Sequence, residues 1–149
     1  MTVGAICNRR IPTAPRTATI EEAARSMCAF DERVVVVTDE TDGKRRAVGV
    51  VTEHEMMAVI ARGADPAQLT LGEIMRAHPG FVRDTDSIFD TVRWMHRNRL
   101  REIVVHDESG RLVGLVTYDQ LFDAIAGEFT APDLPALEES LTPDRTALH

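Results

Sequence analysis

Val113-Gly114-Leu115-Val116-Thr117-Tyr118-Asp119-Gln120-Leu121 is the stretch whose reading decides the fold. A near copy, Val48-Gly49-Val50-Val51-Thr52-Glu53-His54-Glu55-Met56, lies sixty-five positions earlier. Each is a short apolar, β-branched run with a glycine, then a threonine followed three residues later by Glu or Gln. β-branched runs favour strands, and Thr-x-x-Glu/Gln opens helices. Each copy is therefore a strand running directly into a helix.

The duplication extends outward on both sides. At an offset of 68, residues 6–39 fall on 74–107, with identities that include Ile20/Ile88, Met27/Met95, Arg33/Arg101 and Val37/Val105. At an offset of 65, residues 47–63 fall on 112–128, with Gly49/Gly114, Val51/Val116 and Thr52/Thr117 among them. The three extra residues of the first copy lie within Glu40–Arg46, a polar turn where insertion costs little. A repeat this long exceeds the usual solenoid unit, so two similar half-domains are expected.

Each copy reads as β-α-β-β-α, an α/β chain of two packed repeats. Thr13–Arg16 and Phe81–Arg83 are short extended pieces. Thr19-Ile20-Glu21-Glu22 and Ser87-Ile88-Phe89-Asp90 each place a hydroxyl cap with an acid three residues on. Val34–Val37 and Ile103–Val105 are strands too apolar for a solvated edge. Turns at Asp42-Gly43 and Ser109-Gly110 lead into second strands at Ala47–Val51 and Leu112–Val116. The closing helices bury Met56, Val59 and Ile60 in one copy, and Leu121, Phe122 and Ile125 in the other. The expected organisation is repeat 1 over 1–64, a linker over 65–73, repeat 2 over 74–128 and an acidic tail over 129–149. Leu134, Leu137 and Leu141 give that tail one short amphipathic helix.

Composition narrows the function. The 149 residues carry a net charge of −7, which opposes binding to nucleic acid or to an anionic membrane. No apolar run approaches the roughly 18–20 residues that span a bilayer. Met1–Cys7 lacks a basic region followed by an apolar core, so it does not read as a signal peptide. Cys7 and Cys28 cannot make a disulfide framework and are expected as small buried hydrophobes in a reducing, cytoplasmic setting. His54, His78, His96, His106 and His149 show no ligand spacing with the cysteines, so no metal is expected. His54 or His106 is expected on a surface or strand face. Ser26, Ser87 and Cys28 lack a glycine elbow, and no phosphate-loop or dinucleotide glycine motif occurs. The chain is not read as an enzyme.

In order and spacing, these features resemble a tandem pair of CBS domains, the two-repeat Bateman module. The resemblance covers roughly residues 4–128. It rests on Ile74-Met75, the helix ending in Met95, Ile103-Val104-Val105-His106-Asp107, the Gly110 turn and Gly114-Leu115-Val116-Thr117. Cys7 stands where the second copy has Met75, and Val36 and Val104 replace a proline that the family often carries. The resemblance implies a regulatory module whose repeats pack sheet against sheet around two ligand clefts. The implied ligand is an adenine nucleotide or adenosyl compound, such as AMP, ADP, ATP, NAD or S-adenosylmethionine. Two modules are expected to pair as a homodimer and to signal to an effector protein in trans.

The family's ribose-binding signature is Gly, two residues, Thr or Ser, two residues, Asp, and the resemblance places Thr52 and Thr117 at its threonines, with Glu55 and Gln120 at its aspartate positions. A carboxylate accepts both hydroxyls of a ribose diol. Glu55 keeps that charge at greater reach, whereas Gln120 offers one carbonyl acceptor. The alternative is local, because both quartets also complete capping boxes, worth about 1 kcal/mol each without any ligand. A ligand-independent scaffold is then the second reading. For phosphates the candidates are Arg97, Arg99 and Arg101, which with Arg93 put four arginines within nine residues. Otherwise they form a solvated face paired with Asp86, Asp90 or Glu102. Asn8-Arg9-Arg10 and His78-Pro79-Gly80-Phe81 fall where the family's chain passes the base. Gly80 would let backbone approach a ligand, and Phe81 would either cover a ring or belong to the core. Met56-Met57 sits on a helix that the family uses for module pairing, so one side chain is expected inward and the other at the dimer.

Overall fold

A computed structural model describes residues 1–77 and 80–127. The expected tail helix lies outside the described residues. The chain divides into two compact units. Among the described residues one comprises 9–80 with Ser109–Leu112; the other comprises Met1–Asn8, Phe81–Glu108 and 113–127. They are called here the 9–80 unit and the 81–127 unit.

In the 9–80 unit, β1 (Thr13–Ala14), β2 (Val34–Thr41), β3 (Lys44–Thr52) and β4 (Arg76–Ala77) form one sheet in the order β1-β2-β3-β4. β1 runs parallel to β2, so helix α2 (Ile20–Phe30) makes the crossover between them. The helix starts as its sequence predicts. Thr19 Oγ1 accepts from the Glu22 N–H at 3.2 Å, and Glu22 accepts from the Thr19 N–H at 3.0 Å. Ile20, Ala23 and Met27 form its buried stripe, against Val35, Val37 and Val51 of the sheet. β2 and β3 pair antiparallel through the Asp42-Gly43 turn, whose two residues both have positive φ, as tight hairpins require. Helix α3 (Glu53–Ala61) follows β3 directly. It buries Met56 and Val59 but leaves Ile60 53% exposed, contrary to the expected stripe.

The 81–127 unit repeats this plan with β5 (Val82–Arg83), α5 (Ile88–Asn98), β6 (Glu102–His106), β7 (Leu112–Thr117) and α6 (Tyr118–Ala126). Its sheet has the order β5-β6-β7, with β5 parallel to β6. Ile88, Val92, Met95, Ile103, Val105, Val116, Leu121 and Ile125 form its core.

Two short helices were not anticipated. α1 (Val3–Ile6) and α4 (Leu71–Ile74) open the repeats, and each packs with the unit built mainly by the other repeat. Val3 is fully buried in the 81–127 core, and Leu71 is fully buried in the 9–80 core. The backbone contacts match position for position. The Val3 and Gly4 N–H groups donate to the Asp86 and Asp84 carbonyls, at 2.9 and 2.8 Å. The Leu71 and Gly72 N–H groups donate to the Ala18 and Arg16 carbonyls, at 2.8 and 2.9 Å. This close approach excludes a side chain at Gly4, where a Cβ would lie 2.7 Å from the Asp84 oxygen. Part of the expected 65–73 linker is thus helix, opened by a Thr70–Glu73 capping box.

Candidate functional site

Two strand-to-helix turns, one per unit, hold the candidate ribose-binding residues. In the 81–127 unit, the Thr117 N–H donates to Gln120 Oε1 at 2.9 Å, and the Gln120 N–H donates to Thr117 Oγ1 at 3.2 Å. Both halves of the capping box are made, and α6 starts there. In the 9–80 unit, the Thr52 N–H and hydroxyl both donate to Glu55 Oε2. Glu55 Oε1 forms an ion pair with Arg76 Nε. The Glu55 side chain is only 20% exposed, so this pair is partly removed from water.

Arg76 is the residue that the sequence reading missed. It reaches Glu55 because β4 pairs antiparallel with β3, setting Arg76 opposite Val50. The close passage of β4 also explains Gly49. A Cβ there would stand 2.8 Å from both the Arg76 carbonyl oxygen and Met75 Sδ. In the other unit the corresponding bridge joins Asn8 to Leu115, with backbone bonds of 2.8 and 2.9 Å. Asn8 therefore holds the place of Arg76, as Gln120 holds that of Glu55.

The arginine cluster is exposed. Arg93 and Arg97 lie on α5, Arg99 caps it in the left-handed conformation, and Arg101 precedes β6. Among the described residues none of the four pairs with Asp86 or Asp90. Asp86 instead accepts from the Arg83 N–H at 2.9 Å. Arg25 and Arg33, the counterparts of Arg93 and Arg101, are paired in the 9–80 unit, with Glu21 at 2.6 Å and with Glu53 at 3.9 Å. Phe89 and Tyr118 occupy the positions of those two acids, so neither pair recurs in the 81–127 unit.

Phe81 is 54% exposed and does not belong to the core. Its ring lies 4.5 Å from that of His106, inclined at 49°. His106 lies on strand β6, as one of the two expected placements has it, and is buried at 4% exposure because the strand is covered along Ile103–His106. His54 is exposed. Gly80 has φ 136, which a larger residue would adopt only with strain. Cys28 is exposed and Cys7 half-buried, so neither is the fully buried hydrophobe expected. Cys28 follows Met27 on α2 and so points away from the core that Met27 enters. Met56 is buried and Met57 is 59% exposed. Burial raises the Tyr118 phenol above its ordinary pKa, and the neighbouring Asp119 carboxylate adds to the effect. No described helix is long and apolar enough to cross a membrane.

The duplicated β-α-β-β-α unit, closed each time by a Thr-capped helix, defines a class. The chain belongs to the CBS-domain family, whose profile matches residues 3–62 and again 71–127. An uncharacterized protein of Methanopyrus kandleri is 25% identical over 122 residues, covering 81% of this chain and 61% of its own length. A CBS domain protein from Pyrobaculum aerophilum, solved in complex with AMP, matches with a TM-score of 0.72 at 28% identity, over 80% of this chain and 89% of its own. The cytosolic domain of the Mg2+ channel MgtE, solved in complex with ATP, matches with a TM-score of 0.69 at 26% identity, over 83% of this chain and 48% of its own. This chain therefore spans less than two thirds of the Methanopyrus relative and of the MgtE domain.

Proposed function

We propose that this chain is a regulatory CBS pair that binds an adenine nucleotide at one or both strand-to-helix turns and acts on an effector protein in trans. The observation that carries this reading is the turn itself. In each unit a threonine and a side-chain oxygen acceptor gather where a helix begins, and the positive end of the helix dipole there suits an anion. Similar proteins with AMP or ATP bound support the same ligand class. Arg97, Arg99 and Arg101 are the phosphate candidates of the 81–127 unit, being exposed and without acidic partners at Asp86 or Asp90. Met57 and Ile60 give α3 an exposed apolar edge suited to a homodimer. The work assigned to the module is allosteric and not catalytic. The ligand must bind two module shapes with different affinity, or nothing is transmitted. Such a module would act in the cytoplasm, where adenine nucleotides are its ligands.

A ligand-independent scaffold is favoured by one observation. Glu55 and Gln120 already satisfy their own helix starts. Thermal unfolding with AMP, ADP, ATP, NAD and S-adenosylmethionine separates the readings. The nucleotide reading expects at least one to raise Tm in proportion to log concentration, with the shift reduced in Thr52→Ala or Thr117→Ala. Millimolar ligands without effect would leave the scaffold.

A further inference from the structure

The two repeats treat their matched arginines differently. In the 9–80 unit Arg25 pairs with Glu21 and Arg33 with Glu53. In the 81–127 unit Phe89 and Tyr118 stand where those acids would be. Arg93, Arg97, Arg99 and Arg101 are all exposed, and among the described residues none of their side chains forms an ion pair. No acid lies between positions 93 and 101, so four positive charges stand together in a chain whose net charge is −7. Arg93 and Arg97 are four apart on α5 and share one face, headed by Phe89, itself 38% exposed.

Acids to match them occur elsewhere in the same chain. Residues 128–149 hold Glu128, Asp133, Glu138, Glu139 and Asp144 against one arginine, Arg145, a net −4 of the chain's −7. They follow α6, and Ile125 in its last turn shares a core with Val92 and Met95 of α5. The segment therefore leaves from the unit that carries the arginines. Eleven residues of chain lead from Gly127 to Glu138, a reach of up to roughly 35 Å at about 3.3 Å per residue. α5 has eleven residues and is about 16 Å long, so its whole face lies within that reach. One exposed ion pair is weak, but the tether holds the acids near the arginines at about millimolar effective concentration, and several pairs act together.

We propose that Arg93 and Arg97 of α5, with Arg99 and Arg101 beyond it, form a docking surface for the acidic segment 128–149 of the same chain. Asp133, Glu138 and Glu139 supply the counter-charges that Glu21 and Glu53 supply in the sister unit. The docking does not depend on the nucleotide reading given above. Where that reading holds, the segment competes with a ligand's phosphates for Arg97, Arg99 and Arg101.

Arginine modification by phenylglyoxal, followed residue by residue with mass spectrometry, tests it on the full chain. The parent is compared at low salt with Asp133→Asn/Glu138→Gln/Glu139→Gln, both shown folded by their unfolding transitions. Arg93 and Arg97 are expected to react about threefold faster in the variant, as when the segment is docked in about two thirds of parent molecules. Arg25, paired within its own helix, should react equally in both. The difference should vanish at about 1 M salt, where the screening length falls to about 3 Å. Equal rates for Arg93 and Arg97 in the two chains at low salt would overturn the docking and leave the surface to an acidic partner, for which added polyglutamate is the probe. Protection that is lost on dilution would also overturn it, because the occupant would then be the segment of a second copy.

Discussion

Thr52 and Thr117 show how one residue can serve the fold and a ligand at once. Each caps a helix through a partner three residues on, a contact wholly local in sequence and therefore legible from Thr-x-x-Glu and Thr-x-x-Gln. Thr117→Val should cost about 1 kcal/mol in urea unfolding, since the Gln120 N–H loses its acceptor at the start of α6. Glu55→Gln should cost no more than about 1 kcal/mol, because the pair it breaks is still half open to water through Arg76. That cost should shrink as salt is added. What could not be read was Arg76 itself. Its partner is fixed by the pairing of β3 with β4, made across more than twenty residues of chain, and no local pattern encodes it. The alignment of the repeats nevertheless held the hint, since Arg76/Asn8 and Glu55/Gln120 differ in step. The strand position of His106 follows from the sequence but its burial does not, for a related reason. A polar residue in a short apolar strand carries no sign of which side is covered, and the structure buries it beneath Phe81.

At the scale of elements, the long helices and paired strands followed from periodicity and turn chemistry, whereas α1 and α4 did not. Four residues are too few for a periodic signal. The repeat itself offered one, because Thr2/Thr70 and Gly4/Gly72 continue the 68-residue offset upstream of Ile6/Ile74. Leu71→Ala should cost 2–5 kcal/mol by chemical denaturation, like other truncations of a fully buried leucine. Gly49→Ala should cost about 1–3 kcal/mol, because the added methyl meets the backbone of β4 at Arg76. If β4 is displaced instead, Arg76 moves away from Glu55, and the salt dependence of stability should weaken with it.

At the scale of the molecule, each unit has a buried core of its own. One of them has a pH signature. The folded state holds the Tyr118 proton that the unfolded chain releases near its ordinary pKa of about 10. Stability is therefore full below that pH and declines as pH rises above it. Urea midpoints between pH 9 and 11 should fall, and Tyr118→Phe should flatten the fall. The crossed helices have a consequence for synthesis. The 9–80 unit can close soon after Arg76 leaves the ribosome, since every segment it needs has then emerged apart from the short Ser109–Leu112 piece. Residues 1–8 are made before the first repeat yet complete their contacts only once Leu115 has emerged, because their partners extend to that residue. This early segment therefore waits, unburied, for β7, and Val3→Asp would disturb the repeat made second.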